Sequence, residues 1–449
     1  MKNIIKLLLL MLAILQVTSA FAQRKTLWMR GVSQTSNGWN ASKTHLAYLG
    51  YDFDNLLFST VYEPGLGVEA AADVLAGTYG DNNDLLGIAH DYGGLVMRDL
   101  QLKDDNISAM ILVGVPNQGS SAIDFTTTVE PNSDGTRAQI LVDAIQDIKG
   151  GDRCEDCDLV GAFDSWINGL YGGRNYLSDA QRGSPVITHL NENMPTVPYA
   201  VMWGSVEEFS ITRLLSSRAF PSDGDYYSEC YARRLEEARQ EAKDVFLIST
   251  IRNTTGFLGS VFNFIGSIAP GISPSEWISR AGSFINTQRQ NFIAEIQAVK
   301  ERDEELARIL RCEFANQLLA AEWQLAMLEN SALETNEVPI SIPSEYDNCM
   351  LECATDMAWG DWGMNMSCDE FCAGLPDNET TMVTVLVTED NDGFLTMSEQ
   401  QLNGAAKTYH LEETNHFQES RADIKPAVSD AFEDLFEGGA GAAFVVPKQ

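Results

Sequence analysis

Basic side chains are scarce in this chain. Its 449 residues hold 30 Lys and Arg against 64 Asp and Glu, a formal net charge of −34. Nucleic acid and anionic membrane surfaces repel such a polyanion, so neither is the expected partner. Histidine is rarer still, five in all, and His45, His189 and His410 lack the spacing of metal ligands. Beyond the N-terminal segment no apolar run reaches the roughly 18 residues of a membrane helix. The closest, residues 257–272, is interrupted by Gly and Pro and reads either as a lid or as core. No internal repeat stands out. What is present is 44% hydrophobic and 21% charged, the make-up of a globular chain with a sizeable core. Its length allows two or three domains of about 150 residues each.

Lys2 and Lys6 precede the apolar run LLLLMLAIL, and Ala20-Phe21-Ala22 offers small residues for cleavage. This pattern reads as a Sec-type signal peptide over residues 1–22, which predicts a secreted or periplasmic protein. No Cys follows the cleavage site directly, which argues against a lipid anchor. All eight Cys lie downstream, and an even count in an oxidising route predicts disulfides. Cys349-x3-Cys353 and Cys368-x3-Cys372 each put two thiols on one helix face, which suits a hairpin stapled by Cys349–Cys372 and Cys353–Cys368. A four-thiolate zinc site is the rival, although zinc ribbons use shorter spacing. Cys154-x2-Cys157 sits among Asp152, Glu155, Asp156 and Asp158. Negative surroundings disfavour a thiolate, so a small structural loop is expected there rather than a redox motif. Cys230 and Cys312 are then left to bridge two helices.

From Lys25 onward short apolar runs alternate with helix-like stretches. KTLWMRG, DNLLFSTV, DLLGIAH and SAMILVGVP read as strands; residues 40–48, 68–75 and GGLVMRDLQL read as helices. Strict alternation implies parallel β-α-β units and a sheet covered on both faces. Residues 131–183 look irregular, after which GSPVITHLNEN and VPYAVMWGS restore helix and strand. Near residue 209 the pattern changes. Residues 226–245 and 275–329 are rich in Glu, Arg, Ala and Gln with apolar residues every three to four positions, the mark of long amphipathic helices. Residues 382–387 return to a strand and 424–436 to a helix. The expected organisation is an α/β core over 23–208 and 379–436. A helical, disulfide-containing insertion over 209–378 is a lid or cap candidate, and 437–449 forms a flexible tail.

The segment GIAHDYGGLVMRDL, residues 87–100, carries the chemistry. A buried strand enters a sharp turn and then a helix, with the small residues Ala89 and Gly93 two positions either side of Asp91. Such flanks let the backbone bend tightly enough to expose the central side chain. This resembles the nucleophile elbow of α/β-hydrolases, in the lipase form that places a Ser between His and a hydrophobic residue before Gly-Gly. SAMILVGVPNQGSS resembles the next lipase strand and its loop, with Val115 and Asn117 as departures. The resemblance implies an acid after a late strand and a His near the C-terminus. Asp392-Gly393 and Asn415-His416 match those two positions. It covers about 200 residues, and the helical insertion resembles nothing known to us.

Two departures shape the expected activity. Arg30-Gly31 replaces the family's His-Gly, and the resemblance makes the backbone N–H groups of Val32 and Tyr92 the oxyanion hole, independent of side-chain identity. Asp91 replaces Ser. Epoxide hydrolases and haloalkane dehalogenases also use this fold with an Asp nucleophile, which attacks a saturated carbon and forms an alkyl ester. The expected protein is therefore a secreted lipase/esterase-like hydrolase with Asp91, Asp392 and His416 as its triad. Its substrate is a small, apolar molecule: an ester, or through Asp91 an epoxide or alkyl halide. Tyr171 and Tyr176 are candidates to protonate an epoxide oxygen. No cofactor is implied.

Two other readings compete. A lost Ser would leave an inactive lipase-fold protein binding an apolar ligand or a protein partner. TEDNDGFLTMSE also fits a calcium loop, with Asp390, Asp392 and Glu399 at positions 3, 5 and 12 and Thr388 where the first ligand is usually Asp. His90 is expected to pack or hydrogen bond, and Arg98 and Asp99 to cap or face solvent.

Overall fold

Among the described residues there are eight strands: β1 Arg24–Met29, β2 Phe53–Phe58, β3 Leu85–His90, β4 Ile107–Val113, β5 Tyr199–Gly204, β6 Glu334–Ile342, β7 Glu379–Val387 and β8 Lys407–Leu411. The structure is a computed structural model. It describes residues 24–32, 38–58, 66–79, 82–129, 135–150, 154, 157–171, 175–206, 210–220, 226–227, 229–230, 233, 300, 304–328, 334–342, 379–387 and 389–448. The expected signal peptide, the 257–272 segment, Thr388 and the four cysteines 349, 353, 368 and 372 lie outside the described residues. The helices are α1 Asn40–Tyr48, α2 Val68–Tyr79, α3 Tyr92–Lys103, α4 Ser121–Thr127, α5 Arg137–Lys149, α6 Leu159–Tyr171, α7 Pro185–Glu192, α8 Ser210–Ala219, α9 Glu304–Leu328, α10 Met397–Gln400 and α11 Pro426–Phe436. None of the described helices is long and apolar enough to cross a membrane.

Six strands form one sheet in the order β2-β1-β3-β4-β5-β8, and every neighbouring pair is parallel. β3 is buried at every position, as a strand covered on both faces must be. One face is packed by α1, α11 and the C-terminal segment, where Trp28, Trp39, Phe432, Phe436 and Phe444 join Ile88, Ile111 and Met202 in a single cluster. The two buried indoles there keep their N–H groups satisfied: Trp28 donates to Thr26 Oγ1 and Trp39 to the Met29 carbonyl. α2 and α3 pack together, and α3 meets α7. α7 starts where Ser184 Oγ accepts the Ile187 N–H and Pro185 takes the first turn. This is the parallel, helix-flanked sheet expected from the alternation.

The order in which strands are added to the sheet reverses at β1. The step from β1 to β2 runs one way, and β3 then returns to the other side of β1. With right-handed crossovers, the two connections lie on opposite faces and a crevice opens at the carboxyl ends of β1 and β3. Asp91 follows β3 and Val32 lies just beyond β1, so both stand at this crevice.

The chain divides into two units, one of Met1–Gln139, Phe163–Tyr226 and Asp390–Gln449, the other of Ile140–Ala162 and Tyr227–Glu389. The second unit draws on two separate stretches, and residues 209–226, with α8, group with the sheet. In the second unit β7 pairs antiparallel with β6. Residues 382–387 are thus no member of the main sheet, contrary to expectation; their alternating pattern serves a different partner. The disulfides also differ from expectation. Cys154 bonds Cys312 and Cys157 bonds Cys230, so the C-x-x-C segment reaches two distant parts of the chain and closes no small loop.

Three further expectations are corrected. The irregular span holds α5, α6 and a 3-10 turn at Asn175–Ala180. The tail is no loose end: Phe444 and Val446 are buried, and Asp52 N–H donates to the Pro447 carbonyl at 2.9 Å. Arg98 and Asp99 are buried rather than exposed. Arg98 reaches Asn117 Oδ1 at 3.1 Å and the Leu190 carbonyl at 2.7 Å, tying the loop after β4 to α7.

Candidate active site

Asp91 sits between β3 and α3 with φ 53° and ψ −135°. A side chain other than Gly rarely adopts this conformation, which costs about 1–3 kcal/mol and persists only where the surroundings enforce it. Here Asp91 N–H is held by the Val113 carbonyl at 3.0 Å and Asp91 carbonyl by the Gly94 N–H at 2.8 Å. The elbow expected from the sequence is therefore formed. Its carboxylate is buried and its two oxygens have different neighbours. Oδ2 accepts the Val32 N–H at 2.8 Å, while Oδ1 faces His416 Nε2 at 3.6 Å. The Tyr92 N–H opens α3, whose positive end lies beside the same carboxylate.

Asp392 lies 24 residues before His416 in sequence and is bound to it twice. Its Oδ2 meets His416 Nδ1 at 2.8 Å, and its carbonyl accepts the His416 N–H at 3.0 Å. Oδ1 accepts the N–H groups of Phe394 and Leu395, which fixes the turn. This turn docks at the carboxyl end of β5, where Val206 N–H donates to the Asn391 carbonyl at 2.8 Å. Asp392 thus follows β5 in space, although nearly two hundred residues of chain intervene. Asn415 anchors the His turn: its Nδ2 reaches Ser217 Oγ on α8 at 2.7 Å, and its Oδ1 accepts the Phe417 and Gln418 N–H groups. The rings of Phe394 and Trp166 line the His416 side, with Phe394 4.9 Å from the imidazole and 5.7 Å from Trp166.

Sequence reasoning missed one member of this group. Glu419 is fully buried; its Oε1 accepts the Gly204 N–H at 2.6 Å, and its Oε2 lies 3.3 Å from His416 Nδ1 and 3.4 Å from His90 Nε2. His90 packs on His416 at 4.7 Å between ring centres and bonds the His416 carbonyl through Nε2 at 2.9 Å, the packing and hydrogen-bonding role expected of it. The charges follow from this crowding. Burial alone would push His416 down, but Asp392, Asp91 and Glu419 outweigh it and hold its pKa well above the ordinary 6.5. Burial would likewise raise Asp91 and Glu419, yet their contacts with the imidazoles keep both below the usual carboxylate range. Asp392 is raised, by burial and by the neighbouring Glu419 charge.

The calcium-loop carboxylates do not converge. Asp392 is spent on His416 and its own turn, while Glu399 accepts the Ser121 N–H at 2.6 Å and the Thr396 N–H at 2.9 Å as part of the capping box of α10. Among the described residues, the ligand-type side chains close enough to share an ion are His90, His416 and Glu419, all buried. Holding one would require His416 Nδ1 to give up Asp392. Tyr176 is buried with its ring against Tyr92, and its carbonyl accepts the Tyr92 hydroxyl at 3.1 Å. The Tyr171 side chain lies outside the described residues.

No family model and no curated protein matches the sequence. Solved structures similar to it include hydrolases. An esterase from Exiguobacterium antarcticum is 16% identical, with 41% of this chain and 74% of that one covered and a TM-score of 0.24. A hydrolase from Oleispira antarctica is 14% identical over 46% and 79%, with a TM-score of 0.26. The epoxide hydrolase CorEH is 15% identical over 41% and 76%, with a TM-score of 0.23. At these scores the likeness adds nothing to the geometry, which carries the reading of the site.

Proposed function

We propose that this chain is a hydrolase of α/β-hydrolase-like fold in which Asp91 is the nucleophile, His416 the base and Asp392 the acid that orients it. The observation that carries the reading is the division of labour between the two Asp91 oxygens. Oδ2 already occupies the Val32 N–H, and Oδ1 is directed at the side where His416 stands. An acyl ester would need that N–H for its own oxyanion, and attack on it by a carboxylate would give a reactive anhydride. A saturated carbon makes no such demand. Epoxides and alkyl halides are therefore favoured over esters as substrates.

In the first step Oδ1 attacks the carbon, the C–O bond of the epoxide or the carbon–halogen bond breaks with its electron pair, and Asp91 becomes an alkyl ester. The charge leaves with the alkoxide or halide. The alkoxide takes the Nε2 proton of the resting imidazolium, or that proton passes to solvent where a halide leaves. His416 is then neutral for the next step. In the second step a water gives a proton to His416 Nε2 and attacks Cγ of the ester. The 3.6 Å between Nε2 and Oδ1 exceeds a direct hydrogen bond and suits a base acting through water. Negative charge then collects on Oδ2, where the Val32 N–H, and the Tyr92 N–H at the start of α3, stabilise it. Collapse expels the product as an alkoxide, which takes the proton from His416. Asp91 returns first as a carboxylic acid, whose proton passes to His416 to restore the resting pair. The rings of Phe394 and Trp166 favour an apolar substrate. Secretion by the N-terminal signal belongs to the same proposal.

The test is turnover of a short panel, a styrene-type epoxide, an alkyl halide and nitrophenyl esters, by the mature protein beside Asp91→Asn and His416→Ala. Epoxide or halide consumption lost in both variants supports the reading. A silent wild type, with ester hydrolysis gained in a third variant, Asp91→Ser, assayed on the same panel, would instead mean a lipase frame whose nucleophile was replaced.

A further inference from the structure

A triad needs one carboxylate at Nδ1 of its histidine. This site holds two. Asp392 Oδ2 lies at 2.8 Å and Glu419 Oε2 at 3.3 Å from the same nitrogen, and they approach from different elements. The second carboxylate is built in. A Cβ at Gly204, the last residue of β5, would lie 2.7 Å from Glu419 Oε1, and one at Gly114, just past β4, would overlap Oε2. Two neighbouring strands therefore end in glycine where the Glu419 carboxylate sits, and one of them also donates its N–H to it. Burying a carboxylate at such a place is costly unless it balances a charge.

We propose that Glu419 is a second acid of the site, a positioning residue that shares His416 Nδ1 with Asp392 and keeps the imidazole oriented and charged in the resting state. The inference rests on the reading of His416 as the base. The groups that face His416 are Asp91 at Nε2, Asp392 and Glu419 at Nδ1, and His90 stacked alongside. Burial and the neighbouring Glu419 charge raise Asp392, while the two imidazoles hold Glu419 below the usual carboxylate range despite its burial. Alkylation of Asp91 would remove the charge at Nε2. The imidazolium could then pass its Nε2 proton to the departing alkoxide, or to solvent where a halide leaves, and so accept one from the attacking water. The carboxylates at Nδ1 would hold the ring in place through this change.

The experiment is an NMR titration of side-chain-labelled histidine in the full chain, with His416 assigned by its loss in His416→Gln. It needs no substrate, so it tests Glu419 separately from the panel that tests Asp91. In the wild type His416 stays an imidazolium into alkaline pH. Glu419→Gln keeps the side-chain shape and an acceptor for Gly204 N–H, and it lowers the midpoint by about 1–3 units, the effect of removing an opposite charge at this range. Asp392→Asn alone leaves His416 above its ordinary value because Glu419 remains, and the double variant falls furthest. An unchanged midpoint in Glu419→Gln overturns the proposal. So does an ordinary midpoint in Asp392→Asn, which decides the matter even where the Glu419 variant does not fold.

Discussion

Replacing Gly204 by Ala would disturb the site from behind. The added methyl meets Glu419 Oε1 at 2.7 Å and overlaps the Thr414 carbonyl, two residues before His416. The carbonyl belongs to backbone and cannot rotate away, so either β5 or the His turn must shift. Overpacking of this kind costs about 1–3 kcal/mol, and weakening a hydrogen bond to a buried charge about 1.5–3 kcal/mol. The two terms share atoms and do not add fully, so a total near 2–4 kcal/mol is expected. For a unit of this size that corresponds to roughly 5–15 °C in Tm. Urea unfolding followed by tryptophan fluorescence reads it directly. If the His turn moves by about 1 Å, any turnover falls on the order of 100-fold at the same time. A variant as stable and as active as the wild type would refute the claim that this glycine makes room for the carboxylate.

Other consequences can be measured independently. Phe444→Ala should cost about 3–5 kcal/mol in unfolding experiments, because the ring is buried in the sheet-covering cluster; a neutral result would restore the loose tail. Loss of the Cys154–Cys312 bond, which closes 158 residues, should lower stability by up to about 5 kcal/mol on loop-entropy grounds. Non-reducing peptide mapping should find Cys154 with Cys312 and Cys157 with Cys230, and a Cys230–Cys312 peptide would contradict the fold of the second unit. Glu399 is pushed up by burial to about 7 from an ordinary 4.5. Its folded value exceeds its unfolded one, so the stability it contributes is complete below about pH 4.5 and is lost as pH rises through about 7. The stability of the wild type should therefore fall more steeply over that range than that of Glu399→Gln, and parallel pH profiles would count against it.

The sheet was legible because its strands are short apolar runs between clear breaks. DLLGIAH and SAMILVGVP became β3 and β4, and the small residues around Asp91 marked the elbow. The Asp392–His416 pair, in contact in the structure, was legible because the resemblance sets an order of acid and His and because histidine is scarce. Other features carry no local signal. β8, KTYHL, is half polar and its exposure alternates, as fits the edge of a sheet. Residues 379–387 have the pattern of a core strand but pair with β6, since periodicity does not name the partner. Cysteine spacing cannot fix connectivity, and here the two thiols of one C-x-x-C diverge. Glu419 looks like a solvated charge three residues past a histidine. Its only trace in the sequence is the pair of glycines at the ends of two strands far away, a relation that folding alone brings together.

The alkyl-enzyme itself is the most direct test of Asp91. With His416→Gln the ester can form but has no base to hydrolyse it, so it should accumulate on exposure to a styrene-type epoxide or an alkyl halide. Mass spectrometry of the peptide carrying Asp91 should then show the full mass of the epoxide, or the alkyl group in place of a proton, on that one carboxylate. In the wild type a single turnover in heavy-oxygen water should leave label in Asp91. Turnover without adduct or label, or turnover that survives Asp91→Asn, would contradict an Asp nucleophile.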